Sequence, residues 1–121
     1  MHELGIAEAI LRACRTRMPS TGGRLVRVRV AIGELSAIEP ELLRYAFQAA
    51  VAGGPHSGAA LEVDWRPARE RCSACGRMAA RAAGEWRERC PACGGPLQVE
   101  GGQELDLLDF AIEPHSAGVS P

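Results

Sequence analysis

The chain has 121 residues, a net charge of −1 at pH 7, and a composition that is 46% apolar but only 4% aromatic. Near-balanced charge gives no global attraction to nucleic acid or to an anionic membrane, and no stretch approaches the roughly 20 apolar residues of a membrane span. All 14 basic residues are arginine, so mechanisms built on a P-loop lysine or a Schiff-base lysine are excluded.

From Glu3 to Met18 the apolar residues Leu4, Ala7, Leu11, Cys14 and Met18 recur every three or four positions, with Ile10 widening the stripe. This spacing predicts an amphipathic helix that Pro19 to Gly23 ends, with Cys14 a small buried hydrophobe. Arg24 to Ile32 alternates, Val26, Val28, Val30 and Ile32 on one face and Arg27 and Arg29 on the other, which predicts a strand with one wet face. After the turn Gly33-Glu34-Leu35-Ser36, Pro40 fits the first position of a second helix whose core stripe is Leu43, Ala46, Phe47 and Ala50. Gly53-Gly54-Pro55 stops it, and His56 in the loop beyond is expected at the surface, as is His115. A second strand, Ala60 to Arg66, closes at Pro67.

Four cysteines follow, Cys72, Cys75, Cys90 and Cys93, as two Cys-x-x-Cys pairs, each followed by glycine. They read as one tetrahedral metal site, in which each pair brings two thiolates together on a tight turn. Zn²⁺ is the favoured ion, because four thiolates leave no open position for chemistry; rubredoxin-like iron uses the same spacing. Disulfides are disfavoured because Glu3, Glu8, Arg12, Arg15 and Arg17 interrupt any signal-peptide-like apolar run, pointing to a reducing cytoplasm. The mixed run of arginines and glutamates around the cysteines, Arg81 included, reads as solvated surface.

Glu104 to Glu113 resumes a strand, and the shift of its apolar phase between Leu107 and Leu108 predicts a bulge. His115 to Pro121 reads as a disordered tail. The expected fold is therefore α+β: a small sheet of about three strands covered by two helices, with a four-cysteine zinc-binding lobe inserted between two strands. Residues 1–67 with 104–114 would form one domain and residues 68–103 the lobe. Because the lobe hangs from linkers near Pro67 and Gly101-Gly102, its exchange between two copies in a homodimer is geometrically allowed.

The chain starts Met1-His2-Glu3, directly at the first helix. A terminal amine, the following amide nitrogen and an imidazole can chelate one ion in fused rings, a nitrogen-rich set suited to square-planar Ni²⁺ or Cu²⁺. The start Met-His-Glu-Leu-Gly-Ile-Ala, the segment Ile32-Gly33-Glu34-Leu35-Ser36 with Glu39-Pro40-Glu41, and the cysteine knuckles resemble, in that order, the HypA/HybF nickel metallochaperones. The resemblance covers nearly the whole chain. It implies a cytoplasmic, non-enzymatic carrier that binds Ni²⁺ and passes it, with the GTPase HypB, to the large subunit of a [NiFe] hydrogenase, urease being a second client in some members. It implies nickel binding at His2 with the Met1 amine and the backbone at Glu3, the Glu3 side chain nearby. Glu39 is a further candidate that a role at the helix start would equally explain. The resemblance assigns Cys72, Cys75, Cys90 and Cys93 to structural Zn²⁺. The alternative is a zinc-ribbon adaptor binding protein or nucleic acid. Scarce aromatics, with Trp86 alone in the lobe, and the acidic stretch Glu100, Glu104, Asp106, Asp109 argue against nucleic acid.

Overall fold

A computed structural model describes residues 2–79, 81 and 84–114. The elements run α1 (Glu3–Arg17), β1 (Arg24–Gly33), α2 (Pro40–Val51), β2 (Ala60–Arg66), β3 (Arg69–Cys72), β4 (Met78–Ala79), β5 (Leu97–Glu100) and β6 (Leu105–Glu113). They form two three-stranded sheets, ordered β2-β1-β6 and β4-β3-β5. In the first, β1 pairs in parallel with β2 across the α2 crossover and antiparallel with β6.

Both helices cover one face of that sheet. Ala7, Ile10, Leu11 and Cys14 of α1 and Leu43, Phe47 and Val51 of α2 pack with Leu25, Val28, Val30, Ile32 and Leu61 in a single buried cluster. The opposite face is polar, and Arg29 donates to Asp109 there at 2.9 Å. The helix ends follow their local chemistry. Glu3 sits in the first turn of α1 and Arg15 and Arg17 in its last, matching the helix dipole, while Pro40 opens α2.

The expected bulge in β6 is present: Arg29 faces Asp109 and Val30 faces Leu107, leaving Leu108 as the extra residue. A second irregularity was not legible. Register also shifts between Leu25 and Arg27, so Leu25 is fully buried and Val26, expected on the core face, is only partly so. Unbroken alternation cannot reveal a bulge that inserts one more apolar residue.

His56 departs from its expected surface position. It is 7% exposed, and its Nδ1 accepts the backbone N–H of Leu25 at 3.0 Å, satisfying a donor at the start of β1. Its pKa is lowered from 6.5 by burial and then by Arg15 and Arg24, so the neutral ring needed as acceptor is the favoured form.

The β4-β3-β5 sheet was not foreseen as strands. Strands β3, β4 and β5 span 4, 2 and 4 residues and mix charged with small side chains, too short for a periodic signal. The expectations for Met1 and for His115–Pro121 fall outside the described residues.

Candidate metal centre

The two cysteine pairs fold as near copies of one another. Gly76 N–H donates to Cys72 O at 2.9 Å and Gly94 N–H to Cys90 O at 2.8 Å, each closing a turn around its pair. Gly76 and Gly94 both have φ of +77°, the left-handed conformation that the turn requires and that glycine adopts without strain. Cys72 N–H reaches Arg77 O and Cys90 N–H reaches Gly95 O, so both knuckles also close on their outer side. Gly95 lies against the centre, where a Cβ would stand 2.8 Å from Ala74 Cβ and 3.2 Å from Cys72 Sγ.

The four sulfurs lie within 4.8 Å of one another, and among the described residues this is the group of at least three His, Cys, Asp or Glu side chains that could hold an ion. Cys72 and Cys93 are 3.4 Å apart at sulfur, Cys75 and Cys90 3.8 Å. Tetrahedral thiolates at a Zn–S distance of about 2.3 Å stand roughly 3.8 Å from each other, so the arrangement fits a closed four-thiolate site. Backbone N–H groups of Ala74 and Cys75 point at Cys72 Sγ at 3.3 Å, those of Ala92 and Gly95 at Cys90 and Cys93 Sγ at 3.4 Å.

These amides favour thiolate. The N–H of Cys75, opposed by desolvation and helped by Ala74, lowers the Cys72 pKa to about 6, and Cys90 is lowered by the N–H groups of Ala92 and Cys93. Cys93 is lowered by the Gly95 N–H but raised more by Cys72, burial, Cys75 and Cys90 together, reaching about 12. Four thiolates without a cation between them repel, so a metal that replaces the remaining protons relieves the site.

The amino-terminal candidates occupy another part of the molecule. His2 is exposed at the N-cap of α1, its side chain makes no capping bond, and its carbonyl accepts Ile6 N–H at 3.1 Å. Glu3, half-buried, is the first residue of the helix. His2 lines a cavity of about 410 Å³ whose walls include Ile6, Ile10, Val30, Leu105 and Leu107. Glu39 is exposed at the N-cap of α2, where its carboxylate accepts Glu41 N–H at 3.2 Å. The structure thus gives Glu39 a capping bond and does not gather it with His2 and Glu3 into one cluster.

Sequence reasoning passed over Glu34 and Arg81. Glu34 Oε1 accepts Arg81 Nη1 at 2.8 Å and Ala68 N–H at 3.0 Å, while Oε2 accepts Arg81 Nη2 and Gly84 N–H at 3.1 Å. Arg81 was expected on a solvated face, yet its side chain is 4% exposed. No spacing pairs residues 47 positions apart; the signal was the lone acid in the turn after β1, which lacks a local partner.

A two-helix α+β fold with a paired-knuckle thiolate centre defines a small metal-handling protein. The family model for hydrogenase/urease nickel incorporation, metallochaperone, hypA, matches residues 1–112. Hydrogenase maturation factor HypA of Archaeoglobus fulgidus is 37% identical over 114 residues, spanning 93% of this chain and 99% of that one. Two solution structures share the fold at 22% identity: the Ni metallochaperone HypA from Helicobacter pylori, with a TM-score of 0.60 over 95% of this chain and 100% of that one, and a HypA protein at 0.65 over 93% and 97%. The chain belongs to the HypA family of nickel-incorporation metallochaperones.

Proposed function

We propose that this chain carries Ni²⁺ on its amino terminus and delivers it for maturation of [NiFe] hydrogenase, with urease a second client, while Cys72, Cys75, Cys90 and Cys93 hold a structural Zn²⁺. The observation that carries the reading is the position of His2. It stands exposed ahead of α1 with its ring uncommitted to capping. The first amides of a helix have no intrahelical acceptor, so the amides of His2 and Glu3 are free to face a metal with the His2 imidazole and the Met1 amine. A bare cation is disfavoured at the positive end of a helix; a deprotonated amide nitrogen and the Glu3 carboxylate supply the compensating negative charge.

Division of labour follows from the two donor sets. A closed thiolate cage suits a permanent ion, whereas a nitrogen site at an exposed terminus leaves the cargo open to a receiving protein. The partners in this reading are the GTPase HypB and the hydrogenase large subunit, the location is the cytoplasm, and the chain itself catalyses no reaction. Residues 1–67 with 104–114 act as the nickel-binding domain and residues 68–103 as the zinc-binding lobe.

Calorimetric titration of Ni²⁺ into untagged, zinc-loaded protein tests the assignment. One nickel site is expected, lost in His2→Ala and in a chain with one residue added before Met1, with zinc retained in both. Glu39→Ala in the same titration separates a ligand, whose loss weakens binding, from a helix cap, whose loss leaves the isotherm unchanged. Equal nickel binding in the parent chain, His2→Ala and the extended chain would overturn the terminal site.

A further inference from the structure

The turn after β1 joins the two sheets through a set of bonds that metal carriage does not use. Glu34 takes the bidentate guanidinium of Arg81 and the N–H groups of Ala68 and Gly84, with side-chain exposures of 12% for Glu34 and 4% for Arg81. The rest of Arg81 is satisfied within the cysteine-bearing segment: Nη1 also donates to Ala68 O at 2.6 Å and Nε to Glu85 O at 2.7 Å. Its guanidinium carbon lies 3.9 Å from the centroid of the Trp86 ring, a cation–π contact over the same group.

Backbone bonds extend the junction to both connecting strands. Glu34 N–H donates to Arg66 O at 2.9 Å, Gly33 N–H to Glu104 O at 2.8 Å, and Leu35 N–H to Gly102 O. Neither Gly33 nor Gly102 has room for a Cβ: one would meet the backbone at Gly102 and Glu104, the other Ala68 Cβ at 2.6 Å. The next residue along, Leu105, walls the cavity that His2 lines.

We propose that Glu34, Arg81 and Trp86 form a lock that seats the cysteine-bearing sheet on the end of the helix-covered sheet and holds the start of β6 beside His2. Bidentate geometry makes the lock directional: the guanidinium plane fixes the orientation of the seated segment as well as its distance. Removing either charged partner leaves the other buried and unpaired, so the junction opens as a unit instead of loosening bond by bond. With the lock open, the segment remains tethered at residues 66–69 and 100–104 and keeps its own knuckles, because no lock residue is a cysteine. Its action is the same whichever ion the amino terminus carries.

Amide hydrogen exchange on the zinc-loaded full chain tests this. In the unaltered protein the amides of Leu35, Ala68 and Gly84 are expected to share one protection factor, distinct from that of Val28 and Val30. In Arg81→Met and in Glu34→Ala, exchange at Ala68 and Gly84 is expected to rise by about tenfold or more, with Leu105 and Leu107 following and zinc content unchanged. In a Trp65→Phe background the emission of Trp86 is expected to shift in both variants, and the double variant to add little to either single change. Unrelated protection factors at the three amides in the unaltered protein would overturn the lock. So would folded variants with parental exchange at Ala68 and Gly84.

Discussion

The two sheets share one short chain and are held by different forces. Between β2-β1-β6 and the two helices the buried side chains are Leu25, Val28, Val30, Ile32, Leu43, Phe47 and their neighbours, and stability comes from apolar area removed from water. Around β4-β3-β5 the buried side chains among the described residues are Ala68, Glu70, Cys72 and Cys90. Met78, Trp86 and Val99 remain exposed, and the Arg71–Glu100 pair at 2.6 Å lies on the surface. A segment of this size cannot bury enough to order itself, so thiolates, a metal and the Glu34 junction replace the missing core. The lesson is that each half should fail under a treatment that spares the other.

The largest separation should come from metal removal. Structural Zn²⁺ in small domains is worth about 10–16 kcal/mol near neutral pH, far more than any one side chain. Chelation, or Cys90→Ser, is therefore expected to abolish exchange protection at Glu70, Cys72 and Val99 while Val28, Val30 and Leu61 stay protected. Loss of both sheets together would mean that they unfold as one unit. Metal affinity should also fall as pH drops, because each thiol must give up its proton to bind the ion.

Phe47→Ala should do the reverse. Phe47 is fully buried between the helices and the sheet, and its truncation is expected to cost about 3–5 kcal/mol in denaturant unfolding. Metal stoichiometry at low denaturant should be unchanged. A parallel loss of metal would mean that the thiolate centre leans on the apolar core.

The smallest effect sharpens the contrast through pH. His56 has a folded pKa below 6.5, so the unfolded chain takes up the proton first. Its neutral form is accommodated in both states above pH 6.5; below that, stability is expected to fall until the folded value is passed. His56→Ala should remove this slope and cost about 1–3 kcal/mol, because Leu25 N–H is left without its acceptor. Glu34 works in a separate window. Its pKa is lowered from 4.5 to about 2, first by the Arg81 hydrogen bonds, so its stabilisation is complete above about pH 4.5 and lost as pH falls toward 2.

Local pattern determined most of this protein. Alternation and helical spacing placed both helices and the three long strands to within a residue or so, because those elements repeat one physical rule over many positions. The Leu107–Leu108 phase change announced its bulge, and the doubled Cys-x-x-Cys with trailing glycines announced the thiolate centre, since a turn and two donors are encoded within four residues. Met1, His2 and Glu3 stand out as adjacent donors, and it is the family resemblance that assigns nickel to them. What only tertiary structure decided are pairings between distant single residues: His56 with Leu25 N–H, Leu25 in place of Val26, and Glu34 with Arg81. The short strands β3, β4 and β5 belong with them, because they are ordered by a partner strand and a metal knuckle and carry too few residues to repeat anything. A charged side chain looks the same in sequence whether water or another charge receives it, and for Glu34 and Arg81 the fold alone made that choice.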